Sequence, residues 1–209
     1  DLSSTVSMQA GKSLLFDISG DNKQVINLNG EVKPSAVYLM NPKGHDYQLA
    51  GTGSFAGDMN LYKSMQGSVE IAANLNHTGK NVISEGTLAV EGTIMGMVEL
   101  QARGTLAGNP IIKGELQFEG ALNYEGCRLS PGTEKNPYGQ ITVAHDLTIN
   151  QAIYVEENIK SEGEKQQDRF VVLGNLKITS PITFTIVPAE TKLAVGSYEL
   201  AECTGTLEV

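Results

Sequence analysis

The chain predicts an all-β fold wound as a β-solenoid, and three observations carry that prediction. The phrase Gly86-Thr87-Leu88-Ala89 returns as Gly104-Thr105-Leu106-Ala107, 18 residues further on. Apolar residues alternate within runs of three to five, the period of two that strands require, and no window of a dozen residues carries an amphipathic helix. Glycine occurs 23 times in 209 residues, against a usual share of roughly 7%. Glycine supplies the positive φ angles of tight corners, so many glycines mean many corners and short strands. An offset of about 18 to 20 residues is one winding of such a solenoid, three brief strands joined by three corners.

The elements follow in order. Thr5-Val6-Ser7-Met8 reads as a strand before a turn at Gly11, and Ser13-Leu14-Leu15-Phe16-Asp17-Ile18 ends at Gly20-Asp21-Asn22. Val25-Ile26-Asn27-Leu28 closes at Asn29-Gly30, and Ala36-Val37-Tyr38-Leu39-Met40 stops at Asn41-Pro42. Each is a β-rich run bounded by turn formers. From Tyr47 the punctuation becomes denser, with Leu61-Tyr62-Lys63, Val69-Glu70-Ile71, Val82-Ile83, Thr87-Leu88-Ala89-Val90, Val98-Glu99-Leu100, Thr105-Leu106, Glu115-Leu116-Gln117-Phe118 and Ala121-Leu122-Asn123-Tyr124 continuing the series. Residues 133–138 are polar, contain Pro137 and read as a loop. Beyond it the strands lengthen, at 140–149, 152–159, 170–173, 182–187 and 197–201, and the charged run 160–169 between them reads as a solvated loop or hairpin tip. These longer strands are expected to form a capping sheet over the last winding, because an uncovered end exposes a strand edge and core side chains. The expected organisation is a solenoid module over 1–159 and a strand-rich cap over 160–209.

Composition excludes some functions. The net charge is −9, a surface that repels phosphate backbones and anionic lipid, so nucleic-acid binding is not expected. No run of 18 apolar residues is present, and no membrane insertion by this segment is expected. Cys127 and Cys203 lack metal-ligand spacing; a disulfide is open to them, and burial as two small hydrophobes fits better. Asp1 in first position points to a processed protein or a piece of a larger one.

Candidate chemistry is thin. The acids Asp58, Glu70, Glu85, Glu91, Glu99, Glu115, Glu119 and Glu125 are scattered; Glu91 and Glu99 could share a face, but nothing places them as a glycosidase pair. Asp17, Asp21 and Asn22 lack the closing Glu of a calcium loop and read as an Asx turn. His45, His77 and His145 have no zinc spacing and read as surface or turn residues. Cys127 and His145 stand 18 apart, which in an 18-residue winding would stack them, yet no oxyanion motif accompanies the pair. Gly51-Thr52-Gly53 opens no strand-turn-helix unit and is no phosphate loop. The tyrosines Tyr38, Tyr47, Tyr62, Tyr124, Tyr138, Tyr154 and Tyr198 would make a sugar platform only if their rings lined a solvent face. No catalytic, cofactor-binding or metal-ligating residue is assigned, and no cofactor is expected.

The order of the small motifs is more specific than any one of them. Residues 47–57 (YQLAGTGSFAG), then Leu61-Tyr62-Lys63, Gly67, Asn74, Thr78-Gly79 and residues 83–92 (ISEGTLAVEG), resemble the autotransporter-associated β-strand repeat. Residues 104–109 (GTLAGN), Gly114, Leu129-Ser130-Pro131-Gly132, Gly139 and Asp146-Leu147-Thr148-Ile149 are similar to the passenger segment that follows such repeats. The resemblance spans about residues 47–180; it departs at Ser64-Met65-Gln66, His77 and Pro110. It implies a single-stranded right-handed parallel β-helix, exported to the bacterial cell surface or beyond. The function it implies is a structural stalk, spacer or scaffold whose partners are adjoining domains of a larger polypeptide. Related segments also accompany secreted proteins that act on polysaccharides. A carbohydrate-binding module is therefore the second expectation, with polysaccharide as partner, and a β-helix lyase or hydrolase a distant third. The register makes one geometric demand: Leu88 must lie on Leu106, with Gly86 and Gly104 at equivalent corners.

Overall fold

The structure, a computed structural model, describes residues 11–20, 25–120 and 126–209. The strands expected at 5–8 and 121–124, and the turn at 21–22, lie outside the described residues. Among those described there is no α-helix; a single 3-10 turn, Ile18–Gly20, is the nearest approach to one.

Strands are shared among the sheets in chain order. The first sheet takes Leu14–Phe16, Ala36–Met40, Asn60–Ser64, Asn81–Ile83, Val98–Gln101 and Leu116–Glu119, in that order. The second takes the strand that follows each of these: Val25–Leu28, Tyr47–Gly51, Ser68–Ile71, Gly86–Val90, Gly104–Gly108 and Cys127–Pro131, then Ile153–Lys160 and Ile182–Pro188. The third takes the next strand of the later rounds, Thr93–Ile94, Ile111–Ile112, Gln140–Val143, Arg169–Val172 and Glu202–Cys203. Earlier, Glu31–Val32 pairs with Ser54–Phe55, and single bridges from Phe55 to Leu75 and from Leu75 to Ile94 join that pair to the third sheet. A short fourth sheet holds Leu147–Ile149, Leu176–Ile178 and Leu207–Glu208.

Apart from the short antiparallel pairing of Lys160 with Gln166, strands within these sheets pair in parallel and in register. Leu88 is the Cα partner of Leu106, and Gly86 of Gly104, as the repeat demands. Leu106 in turn partners Leu129, and Leu129 partners Val155. A second ladder runs Phe55, Leu75, Ile94, Ile112, Val143, Val172 and Cys203. Phe55, Leu75, Leu88, Ile94, Leu106 and Leu129 have no exposed surface, and the ladders of all three sheets meet in one core. Each such residue contributes about 1.5–3 kcal/mol through removal of apolar surface from water.

The expected spacing of about 18 to 20 residues describes only the middle of the chain. Leu88 and Leu106 are 18 apart, but Thr105 pairs with Arg128 at 23, Ile153 with Ile182 at 29 and Val171 with Glu202 at 31. The added residues sit in connections, which lengthen without disturbing the ladder, since long loops cost little extra entropy. The cap expected over 160–209 is likewise corrected. Ile182–Pro188 pairs parallel with Ile153–Lys160 over seven positions, and later strands extend the third and fourth sheets. Alternation announces a strand and says nothing of which neighbour it joins. The run 160–169 does turn a hairpin, with Lys160 opposite Gln166 in antiparallel pairing.

Corners are closed by side chains as much as by glycine. Asn60 Oδ1 accepts from the Lys80 amide (2.8 Å), Asn74 Oδ1 from Thr93 (2.8 Å), Asn109 Oδ1 from Gln140 (2.8 Å) and Asn175 Oδ1 from Thr206 (2.8 Å). Each ties one round to the next by satisfying an amide that the ladder leaves free. Gly86 and Gly104 are partners but not equal in conformation. Gly86 has φ +73°, whereas in the following round the left-handed residue is Arg103, at φ +71°. A Cβ on Gly86 would lie 2.3 Å from the Met65 carbonyl oxygen, so no side chain fits there.

Both cysteines are free: Cys127 is buried in the second sheet and its thiol donates to the Leu100 carbonyl at 2.9 Å, while Cys203 is half-buried in the third.

Candidate functional site

Outward positions of the second sheet form one long row: Val25, Gln48, Glu70, Ala89, Ala107 and Ser130, each the Cα partner of the next, with Glu156 beyond Ser130 and 3.4 Å from its hydroxyl. Gln48 to Glu156 is five strand steps, roughly 24 Å at about 4.8 Å per step. Ala89 and Ala107 alternate with the inward Leu88, Val90 and Leu106 and so point away from the core, yet they are only 5% and 6% exposed. The cover is the polar segment after Pro131. It leaves the sheet at Gly132, whose amide and carbonyl exchange hydrogen bonds with Gly108 at 2.8 Å each. Thr133 and Asn136 then turn it back on itself, the Thr133 amide donating to the Asn136 carbonyl at 2.9 Å. Lys135 reaches Glu70, three strands away along the row, with Nζ 3.8 Å from a carboxylate oxygen. Alanine is what makes room: two methyl groups sit where larger side chains would fill the space beneath the segment.

The result is a groove of about 510 Å³, floored by Ala89 and Ala107 and bounded by residues 132–137. Hydroxyls and amides line it at Ser68, Thr87, Ser130 and Asn158. Its charges are Asp46, Glu70, Glu134 and Glu156 against Lys135, a net of three negative charges. The loop at 133–138 is legible in the sequence, but what it covers is not. The signal available was alanine at the outward place of two successive rounds.

Other flagged residues are not gathered into sites. Glu91 lies in the connection to the third sheet and accepts from Asn109 Nδ2 at 2.8 Å; Glu99 is on the first sheet, where Lys80 and Gln101 hold it at 3.2 and 2.7 Å. They share no face. Glu125 lies outside the described residues, as do Asp21 and Asn22. Asp17 makes the expected Asx turn, its Oδ1 accepting from the Ser19 hydroxyl and, at 2.9 Å, from the Ser19 amide, and those bonds, the hydroxyl's first, hold its carboxyl below the usual range. Cys127 does not stack on His145. Its partner is Ile153, because that round has 26 residues, and burial pushes the thiol up to about 11. No group of three or more His, Cys, Asp or Glu able to hold a metal occurs among the described residues.

The tyrosines do not make a platform either. Tyr38 and Tyr62 are Cα partners on the outer face of the first sheet and stack at 5.3 Å with 12° between planes. Each ring covers one face of the other, so the pair offers two separate outer faces and no continuous row of rings. Tyr47 is buried edge-on against Phe16, Tyr154 has Arg128 over its ring at 5.6 Å, and Tyr124 is outside the described residues.

The histidine reading needs one correction. His77 is fully buried, with Nε2 3.0 Å from Asn81 Oδ1. Burial holds its pKa below the usual value, against the opposing pull of Asn81. His145 is opposite in character: Nε2 lies 2.6 Å from the Gly114 carbonyl and Nδ1 2.8 Å from that of Asp146. Two carbonyls can only accept, so both nitrogens donate and the ring is favoured as the cation, its pKa raised chiefly by Gly114. A proton NMR titration is expected to show His145 titrating above 6.5 and His77 below; the reverse order would contradict this placement.

Three buried ionisable groups were not singled out by sequence. Lys63 occupies a core position between Leu39 and Ile83 in the first-sheet ladder and is fully buried. Its Nζ donates to the carbonyls of Ser64 (3.0 Å), Met65 (2.7 Å) and Glu85 (3.2 Å). Desolvation lowers its pKa to about 8, with Glu85 and Asp46 pulling the other way. Asp168 is fully buried and well held, accepting from the amides of Gly139 (2.7 Å) and Asn158 (2.8 Å) and from Asn158 Nδ2 (2.8 Å). Glu157 is fully buried with no partner for either oxygen; burial, and then the nearby Asp168, push its pKa up to about 8.

Comparison with known proteins returns no match: no family model, no curated protein and no solved structure is similar to this chain at a significant level.

Proposed function

We propose that the chain is a single-stranded right-handed parallel β-helix serving as a non-catalytic stalk, spacer or scaffold within a larger exported bacterial surface protein. The observation that carries this reading is the strand order. Successive strands go to the first, second and third sheets in turn, with the fourth sheet in place of the first after Leu116–Glu119, and paired strands lie in parallel register. A chain that keeps that order advances by one strand spacing per round, and the right-handed twist of strands favours the right-handed crossover. Continuous backbone ladders along such an axis resist bending and extension, which is the property a spacer needs. The resemblance to autotransporter-associated repeats supports export.

Protease treatment of intact source cells tests that location. The segment is expected to be removed, and full protection alongside an intracellular control would overturn it. Reducing-sugar and unsaturated-product assays on the purified chain are expected to show no turnover, and reproducible turnover would overturn the non-catalytic reading.

A second reading, a carbohydrate-binding module, is favoured by one observation: the polar groove over Ala89 and Ala107. Affinity electrophoresis across a glycan panel separates the two, since a pure scaffold is retarded by none.

A further inference from the structure

We propose that the groove between the second sheet and residues 132–137 binds an extended polymer of amino sugars; this rests on the carbohydrate-binding reading and names its substrate class.

Three features of the groove restrict the ligand. The first is its floor. Gly86–Val90 and Gly104–Gly108 are paired on both sides, so their backbone amides and carbonyls are used within the sheet. A peptide recognised by strand addition needs a free edge, and here there is none. Recognition must come from side chains, and those present are hydroxyls, amides and carboxylates standing one strand step apart. Such groups match a ligand that carries donors and acceptors along both edges, as a glycan chain does.

The second feature is shape. The groove follows the row from Gln48 to Glu156, and the segment 132–137 reaches back over the alanines to Glu70. With the segment in place the alanines are covered, 5% and 6% exposed; once it lifts, a chain one sugar wide can lie along the row, whereas a branched or globular ligand still meets the overhanging segment. The base of the segment is held to the sheet by the paired Gly108 and Gly132, but the attachment of its tip is weak. Lys135 and Glu70 are 3.8 Å apart and their side chains are 65% and 27% exposed, a pairing worth little in water. The overhang can therefore lift to admit a chain.

The third feature is charge. Asp46, Glu70, Glu134 and Glu156 outnumber Lys135, so uronic acids and sulfated glycans are repelled. An ammonium on each sugar is attracted. Glu156 bears on this most directly: it closes the row, and its Oε1 lies 3.4 Å from the Ser130 hydroxyl on the neighbouring strand.

The test is calorimetric titration and affinity electrophoresis of the whole chain with a glucosamine hexamer, an N-acetylglucosamine hexamer, a galacturonate hexamer and an oligolysine of equal charge. Expected are binding of the glucosamine hexamer that weakens with salt, binding of the N-acetylated form weaker by roughly tenfold, and no binding of galacturonate. Glu156→Gln is expected to weaken glucosamine binding roughly threefold, and Ala107→Trp, which fills the floor, by more than about tenfold, with melting of both variants followed. Oligolysine binding as tightly as glucosamine would reduce the groove to an anionic surface and overturn the proposal. A folded Ala107→Trp that binds like the parent chain also overturns it; should that variant fail to fold, unchanged binding by Glu156→Gln does so. If some other glycan is retarded equally by parent and variants, the groove assignment fails while the carbohydrate reading stands. If no glycan is retarded, both fail.

Discussion

Leu106→Asp is expected to abolish cooperative folding. Leu106 has no exposed surface and is the Cα partner of Leu88 on one side and Leu129 on the other, so its replacement is felt by three rounds at once. Removing the leucine side chain from such a site costs about 2–5 kcal/mol. Burying an unpaired carboxylate costs several kcal/mol more unless it takes up a proton. Domain stabilities lie at about 5–15 kcal/mol, so the sum consumes most or all of the margin. Thr105→Asp is the matched control, one residue away on the half-exposed outer face, and is expected to change stability by less than about 1 kcal/mol. Circular dichroism and thermal melting read both. A Leu106→Asp chain that melts cooperatively near the parent temperature would show that leucines 18 apart do not share a buried ladder.

The second large effect concerns Glu157 and pH. Its folded pKa of about 8 stands above the ordinary 4.5, so between those values the folded chain holds a proton that the unfolded chain has lost. Stability from this group is complete below pH ~4.5, falls as pH rises, and levels off above pH ~8. At about 1.4 kcal/mol per pH unit the loss across that window is on the order of 5 kcal/mol. Asp168 is raised too, by burial, and tilts stability in the same direction. Lys63, lowered from 10.5 to about 8, acts in a different window, restoring stability as pH climbs through that range. Glu157→Gln removes the ionisation at nearly constant volume. Denaturant titrations from pH 4.5 to 8 are expected to show the parent chain weakening steadily and the variant weakening less, its remaining slope coming from Asp168. The variant should then be the more stable at pH 8, by a few kcal/mol. Parallel curves for the two proteins would mean that Glu157 is not a buried, unpartnered acid.

Particular residues show how far the sequence reached. The repeat of Gly-Thr-Leu-Ala gave the pairing of Leu88 with Leu106 directly, because identical residues at one offset in a parallel sheet lie on each other. Alternation within 153–159 carries further information. Ile153, Val155 and Ile159 are inward, and Glu157 shares their phase. The same phase argument applies to Lys63, which follows the inward Leu61 by two. In both cases the charge itself argued for an exposed position, and only packing on either side shows the interior winning. His77 is a third instance, a polar side chain buried by its place in a dense run of core residues.

From its residues alone the chain determined that it is built of short strands, where most of them break, and which leucines align in the central rounds. Period-two alternation and glycine corners are local properties, and local properties are written in local sequence. Tertiary structure decided what the longer connections do: that residues 132–137 fold back over Ala89 and Ala107, that the C-terminal strands join existing sheets, and that Glu157 lies buried near Asp168 with no partner. Those outcomes depend on which strand comes to lie beside which, across offsets of 18 to 31 residues. A side chain's burial is set by that neighbour rather than by its own chemistry.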